Sequence, residues 1–315
     1  VLVLNWRDTK HVWAGGADMY VHELAKRWVA SGHLVTMFCG NDGKRSRNQV
    51  LDGVQIVRRG GFYTVYLWAF LYYVLRFRGK FDVIIDSQNG IPFFAPLYAR
   101  IPTITVVHHV HQQVFRQHLR FPFSTIAALV ESRLAPLVYR NCRVVTISES
   151  SKAEILAQLG YEKNVRIDVV YPGVDGDAYR VKAKKTTYPS FLYLGRLKPY
   201  KNIDVAIRAF ELVHKLHQTA RLTIAGEGES IDSLKGLVKE LGLTRSVLFV
   251  GKVDEEGKVE LYSRHWVAVQ PSSFEGWGLT VIEANACGTP VIASNVHGLR
   301  DSVVDEKTGL LVQPR

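Results

Sequence analysis

The chain has 315 residues, enough for about two domains, and its 47% hydrophobic and 22% charged residues fit a soluble globular protein. A formal net charge of +11 favours phosphorylated ligands, nucleic acid or an anionic membrane, and does not choose among them. Three scattered cysteines, Cys39, Cys142 and Cys287, exclude a disulfide framework and a paired-cysteine metal site, and read as reduced thiols of a cytosolic protein.

Residues 1–5 read as a strand, so few residues are expected before it, and no signal peptide is visible. A polar loop leads to Gly15-Gly16 and a helix over 17–30, with Tyr20, Val21, Leu24 and Trp28 on one face and Gly32 as its stop. Gly15 and Gly16 can approach a phosphate, although a two-glycine turn with no ligand is just as common. Strands follow at 34–39 and 54–58. The most hydrophobic run, 62–77, carries no charge before Arg76. It is shorter than the ~20 residues of a transmembrane helix. Two readings stay open for it: a core helix packed on a sheet, or an aromatic-rich helix lying in a membrane interface between Arg58, Arg59, Arg78 and Lys80.

Residues 82–86 read as a buried strand, followed by a loop over 87–90 and a helix to Arg100. The next strand, 102–107, ends on His108-His109, with His111 close by; 116–139 is largely helical, 144–148 is a strand, and 169–172 closes the first unit. Strands alternating with helices mean a doubly wound parallel sheet, whose ligands sit at the carboxyl ends of the strands, where His108 falls. Residues 173–189 carry Gly173, Gly176, Lys182, Lys184 and Lys185 with little apolar periodicity. They read as a linker between a first domain, 1–172, and a second, 190–315. Two such units joined by a linker create a cleft, a common ligand site.

In the second domain, 190–194 is a strand, 195–201 a loop, and Asn202 the N-cap of a helix with Ile203, Ile207, Phe210 and Val213 on one face. A strand over 221–225 ends at Gly226-Glu227-Gly228, a weakly nucleotide-like turn whose Gly226 is kept as a candidate contact. A helix to Leu241, a strand at 247–250, a helix at 255–263 and a strand at 266–269 lead to the stretch around which the chain is organised. This is Ser272-Ser273-Phe274-Glu275-Gly276-Trp277-Gly278-Leu279, continuing to Glu283 and Ala284 in a helix stopped by Gly288 and Pro290. Gly276 and Gly278 let backbone N–H groups close on a ligand, and the helix start adds partial positive charge, which suits a phosphate. Glu275 and Glu283 would repel a phosphate, so they read as acceptors for sugar and ribose hydroxyls. The bland alternative makes Glu275 a loop charge and Glu283 a solvated helix residue. Arg196 and Lys201 bring two cations to the same sheet edge, able to replace a divalent metal on a diphosphate, with a plain charged turn as the alternative. A last strand at 309–312 stops just before the chain does, so a C-terminal segment is expected to be missing.

Other patterns carry less. Asp175-Gly176-Asp177 has the form of a metal-binding DxD but lies in the linker and reads as a solvated turn. His108, His109, His111 and His118 lack the spacing of a structural zinc site, and 40–45 has glycines too close for a P-loop. Nucleic-acid binding is suggested by charge alone, without a recognisable module or a basic stripe.

Glu275 and Glu283, with seven residues between them inside Pro271-Ser272-Ser273-Phe274-Glu275-Gly276-Trp277-Gly278, resemble the E-x7-E signature of the family-four retaining glycosyltransferases of the GT-B fold. Gly195-Arg196-Leu197 with Lys201 resembles that family's donor-diphosphate motif. Gly15-Gly16 with His22-Glu23-Leu24-Ala25 resembles its acceptor-side loop, the strand from Thr105 to His108 its strand ending on an active-site histidine, and Tyr171-Pro172-Gly173-Val174-Asp175 its N-G-V-D element. Three positions depart: Trp277 stands where Phe is usual, Pro172 where Asn is common, and Asn202 where Gly often follows the lysine. The family's C-terminal helix that crosses back onto the first domain is not in the chain.

The resemblance implies an α/β protein of two Rossmann-like domains facing each other across a cleft. It implies metal-independent, cofactor-free transfer of a hexose from a nucleotide-diphosphate sugar to a lipid-linked or saccharide acceptor. Arg196 and Lys201 would hold the diphosphate and stabilise the leaving charge, Glu275 the sugar hydroxyls and Glu283 the ribose. Gly16, beside Gly15, would donate its N–H to the β-phosphate, and His108 would face the sugar or place the acceptor. Gly226, Gly276, Trp277, Gly278 and Leu279 complete the expected donor contacts. The expected setting is the cytoplasm, at the inner face of an anionic membrane, with no nucleic acid partner. A nucleotide-sugar epimerase and a phosphorylase-like enzyme remain alternatives on the same fold.

Overall fold

The computed structural model describes residues 1–112, 115–116, 119–161 and 165–314. The chain forms two units, Val1–Tyr171 and Pro172–Arg315, each a Rossmann-like α/β domain.

The first unit is built on eight strands: β1 (Leu2–Leu4), β2 (Thr36–Cys39), β3 (Asn48–Leu51), β4 (Val54–Arg58), β5 (Ile84–Gln88), β6 (Thr103–Val107), β7 (Arg143–Thr146) and β8 (Ile167–Val169). Their order is β3-β4-β2-β1-β5-β6-β7-β8, all pairs parallel except β3 with β4. The order reverses between β1 and β5, so the loops after these strands open at a switch point, the usual ligand position of such sheets. Leu2, Leu4, Phe38 and Ile84 pack one face against Val65, Ala69 and Tyr73 of the following helix.

That helix, Val65–Tyr72 with a wide-turn continuation over Tyr73–Phe77, settles half of the question left open for 62–77. Its inner side is core, as a helix on a sheet should be, while Leu67, Phe70 and Leu75 on the other side stay exposed. No helix among the described residues is long and apolar enough to cross a membrane.

Two of the departures from the sequence expectation have a readable local cause. The helix expected up to Arg100 is only a short turn, Ala95–Leu97. Pro92 and Pro96 remove backbone donors, and Phe94 sits at φ +56°, outside the helical region. The Asp86 carboxylate caps this irregular segment instead, accepting N–H bonds from Phe93 (3.1 Å) and Ala95 (3.2 Å) and the Tyr139 hydroxyl. Burial pushes the Asp86 carboxyl up to about 6. The second difference is β3, an exposed polar edge strand with no apolar alternation to announce it. Its hairpin is made by Asp52-Gly53, both at positive φ, as a two-residue turn of that sequence prefers.

The second unit has six parallel strands: β9 (Ser190–Leu194), β10 (Arg221–Ala225), β11 (Val247–Gly251), β12 (Val267–Gln270), β13 (Val291–Ser294) and β14 (Gly309–Val312). Their order is β11-β10-β9-β12-β13-β14. One face is covered by Ile203, Ile207, Phe210, Leu234 and Val238, the other by Val259, Tyr262, Val281 and Ala284. Residues 173–189, read from the sequence as a linker, lie against this unit. Tyr179 joins its core, Lys182 N–H donates to Ser263 Oγ (3.1 Å), and Thr186 N–H to the Arg264 carbonyl (3.0 Å). The strand order reverses between β9 and β12, so this unit's switch point falls at Gly195–Lys201 and Ser272–Gly278.

Candidate functional site

In the second unit the loop after β9 is shaped by close backbone approach. Gly226, at φ +139°, stands where an added Cβ would lie 1.9 Å from the Gly195 carbonyl oxygen. Its N–H is taken by the Gly251 carbonyl (2.7 Å), so Gly226 supports the Gly195 loop from beside it. Leu197 is buried beneath the loop, and the Tyr193 hydroxyl donates to the Arg196 carbonyl (2.9 Å). The exposed Arg196 side chain is left on the outside, where its guanidinium donates to the Tyr200 hydroxyl (3.1 Å).

A short turn, Pro199–Lys201, then carries Lys201 inward. Asn202 follows at φ +49°, a left-handed conformation in which its side chain makes no cap bond. N-capping needs an extended backbone at that position. The expected cap is therefore replaced by a tie between loops. Asn202 Nδ2 donates to the Pro271 carbonyl (3.0 Å) and to Ser273 Oγ (2.8 Å), and Ser273 N–H donates to the Tyr200 carbonyl (2.9 Å). Tyr200 stacks on Phe274 with ring centroids 4.6 Å apart.

These ties bring Lys201 onto Glu275: Nζ bonds Oε1, with the side chains only 11% and 19% exposed. Ser272 Oγ donates to the same oxygen (2.9 Å). No donor among the described residues reaches Oε2, so one carboxylate oxygen is held and the other is open to a ligand hydroxyl. Lys201 keeps further N–H donors for an anion, with Arg196 close by on the ring it shares, Lys201 Nζ lying 5.1 Å from the Tyr200 ring centroid. From below, Gly298 at φ +78° lets β13's following loop pass under this turn, since a Cβ there would stand 2.4 Å from the Glu275 carbonyl oxygen.

The loop ends at Gly278, φ +88°, which opens the helix Leu279–Ala286. The N–H groups of Gly276 and Gly278 have no acceptor among the described residues, the arrangement a phosphate needs. Trp277 is buried between them. Glu283, one turn into the helix, accepts the Tyr262 hydroxyl on Oε2 (2.9 Å). Tyr179, on the same side, donates to Glu255. Burial raises the Glu283 carboxyl above its usual value, opposed by Lys258 and by the Tyr262 bond.

In the first unit, Gly15 precedes the helix Gly16–Ala30, and its N–H donates to Asp18 Oδ2 (2.9 Å). Asn5 Nδ2 (3.2 Å) and Arg7 (3.2 Å) complete the shell of this buried carboxylate, which burial raises above its ordinary value. The helix start thus already holds one anionic group, and the Gly16 N–H is left without an acceptor among the described residues. His108 lies past the end of β6, buried, with Nε2 2.9 Å from Ser87 Oγ and no partner for Nδ1 among the described residues. Burial, then His109 and His111, holds its pKa down at about 3, so the ring is neutral near pH 7 and cannot act there as a general acid.

His111 donates its backbone N–H to Glu131 (2.8 Å), and its ring stacks on His109 at 3.9 Å. His118 lies outside the described residues. Among the described residues no group of three or more His, Cys, Asp or Glu is placed to hold a metal ion. Asp175 Oδ1 accepts the N–H groups of Asp177 (3.0 Å) and Ala178 (3.3 Å), the geometry of a turn.

Sequence reasoning found the ends of this arrangement and missed its supports: Ser272, Asn202 as a tie, Tyr262 and Gly298. Gly298 had a readable signal, the run Val291-Ile292-Ala293-Ser294 closing on a glycine turn. Tyr262 had none, because only folding brings it to Glu283.

Residues 14–178 match Glycosyltransferase Family 4, and residues 176–315 match Glycosyl transferases group 1. The glycogen synthase of Mycobacterium tuberculosis is 26% identical over 343 residues, an alignment that covers all of this chain and 82% of that protein. Among solved structures, sucrose-phosphate synthase from Thermosynechococcus elongatus aligns with a TM-score of 0.81 at 23% identity, covering 100% of this chain and 86% of the other. HepE of Anabaena, solved in complex with UDP-glucose, gives 0.75 at 17% identity, covering 99% and 85%. The two Rossmann-like sheets are those of the GT-B fold these structures share. The first match alone spans more than half of the chain, and the chain accordingly belongs to glycosyltransferase family 4.

Proposed function

We propose that this glycosyltransferase moves a hexose from a nucleoside-diphosphate sugar to a lipid-linked or saccharide acceptor. It does so with retention of anomeric configuration, without a metal, at the cytoplasmic face of a membrane. The observation that carries the reading is the Lys201–Glu275 pair at the switch point between β9 and β12, where a cation for phosphate and an acceptor for sugar hydroxyls share one bond.

Lys201 and Arg196 hold the diphosphate and stabilise the charge it gains as the glycosidic bond breaks. The open N–H groups of Gly276 and Gly278 take further phosphate oxygens. Glu275 Oε2 accepts sugar hydroxyls, and Glu283, already held by Tyr262, accepts those of the ribose. His108, neutral and bonded to Ser87, helps place the acceptor from the end of β6. The acceptor attacks from the face the diphosphate leaves, and a departing phosphate oxygen takes its proton. That HepE was solved with UDP-glucose makes this the first donor to test.

The test is incubation with UDP-glucose, UDP-galactose, GDP-mannose and ADP-glucose against a panel of saccharide and lipid-linked acceptors, with products read by mass and anomeric proton couplings. A product with the donor's anomeric configuration, formed in chelator, supports the reading. Inverted product, or no nucleoside diphosphate released from any donor, overturns it.

A further inference from the structure

One outward layer of the first unit is apolar and uncovered. Val65, Ala69 and Tyr73 turn inward from the helix that follows β4, while Leu67, Phe70, Val74 and Leu75 face outward at the spacing of a single helical stripe. The helix leading into β7 repeats the device. It runs through Phe123–Leu129, Val130–Leu134 and Ala135–Tyr139, with Ala127, Ala135 and Tyr139 buried and Phe123, Ile126, Leu129 and Leu137 exposed. Leu75 is 73% and Phe123 66% exposed, so these are not rims of a buried contact.

The segment between the helices joins the two stripes. Tyr98 packs on Phe70 and Tyr73 with ring centroids 5.5 and 5.4 Å apart, Phe94 packs on Tyr139 at 6.4 Å, and Leu97 is exposed between them. Right-handed crossovers from β4 to β5, β5 to β6 and β6 to β7 put all three elements on one face of the sheet. An apolar layer this broad calls for an occupant.

Charge selects the occupant. Arg76, Arg78 and Lys80 close the first helix, and Arg133 and Arg140 stand on the second, all exposed. The one acidic residue of the second helix, Glu131, is buried and bonded to His111 and Gln112. The first helix has none. Tyr63 and Trp68, exposed at the start of the first helix, are side chains that favour the headgroup level of a bilayer. We propose that this layer docks the first unit on an anionic phospholipid bilayer, with the two stripes entering the interface and the five cations on the headgroups. The inference rests on the membrane setting of the proposed function and specifies which face meets it.

The test is co-sedimentation with vesicles of phosphatidylglycerol mixed with phosphatidylcholine, and with phosphatidylcholine alone, at low and high salt. The wild type should bind the anionic vesicles, and binding should fall with salt. Each near-surface cation strengthens binding roughly five-fold, so the triple variant Arg76→Gln, Arg78→Gln, Lys80→Gln should bind roughly 100-fold more weakly. Leu67→Gln with Leu75→Gln, and separately Ile126→Gln with Leu137→Gln, should each weaken it as well. The rise in melting temperature with UDP serves as the folding control, and it can fail independently of vesicle binding. Failure to bind anionic vesicles, equal binding to neutral ones, or binding unchanged in all three variants overturns the proposal. A concentration-dependent dimer abolished by the apolar substitutions while vesicle binding persists would give the layer to a second copy, and also overturns it.

Discussion

Lys201→Ala is the perturbation with the most structure behind it. In the wild type, Glu275 Oε1 is held by Lys201 and by Ser272, and both members of the ion pair are largely shielded from water. Removing the lysine leaves a half-buried carboxylate with one neutral donor. A lost charged hydrogen bond costs about 1.5–3 kcal/mol. At about 2–4 °C per kcal/mol for a domain of this size, the melting temperature should fall by roughly 3–12 °C. Glu275→Gln alone should also destabilise, by stranding the ammonium group. The double variant Lys201→Ala, Glu275→Gln should be less destabilised than the sum of the single variants by about 1 kcal/mol or more, because neither charge is left alone. Differential scanning calorimetry on the four proteins measures this coupling. UDP should raise the melting temperature of the wild type and do so much less for Lys201→Ala. Strict additivity in the cycle, with the UDP effect intact in Lys201→Ala, would refute the pairing as the organiser of the site.

The two glutamates should separate kinetically. Glu275→Gln should lower kcat with donor KM little altered, since its partner ring gains charge in the transition state, whereas Glu283→Gln should mainly raise donor KM; equal kcat losses with unchanged KM would contradict that division. Burial holds His108 at about 3, below the usual 6.5 of the unfolded chain, so its neutral form contributes stability above pH 6.5 that is lost as the pH falls toward 3. The penalty of His108→Gln should therefore shrink by up to about 1.4 kcal/mol per pH unit between pH 6.5 and 4, as read by urea titrations at each pH; a penalty independent of pH would show that the ring is not buried neutral. Transfer should survive chelator, and Asp177→Ala should leave it nearly unchanged, because Asp175 uses its carboxylate to close a turn there; activity lost to chelator and restored by manganese would oppose this.

Most of the strands, and the glycine loop that carries Glu275 and opens the helix of Glu283, could be read from the sequence because their signals are local. A run such as Val267-Ala268-Val269 followed by Gly276 and Gly278 states its own geometry. What could not be read is what comes together across the chain. Lys201 and Glu275 are 74 residues apart, and nothing in either loop says that the cation expected on a phosphate is also bonded to the carboxylate expected on a sugar. Asn202 shows the same limit, since as the residue before an amphipathic helix it reads as a cap. Its left-handed backbone, imposed by the turn after Pro199, frees its amide to bind the neighbouring loop. The missing helix before Arg100 is legible in Pro92 and Pro96, which apolar patterning outweighs, and the β3 hairpin in Asp52-Gly53, whose turn has no apolar alternation beside it to mark a strand. The helix of the run 62–77 buries one apolar side and exposes the other, a difference its unbroken hydrophobicity does not announce.

If the loops at the switch point of the second unit hold a nucleoside diphosphate by its phosphates, calorimetric titration of UDP and of uridine into the wild type and Arg196→Ala should separate the two ligands. Arg196 is exposed, and among the described residues its guanidinium bonds only the Tyr200 hydroxyl, so removing the side chain should not disturb the fold. UDP binding should weaken roughly 10- to 150-fold, the value of one charged hydrogen bond, while uridine binding stays within error. Equal weakening of both ligands, or no change in UDP binding, would contradict the account.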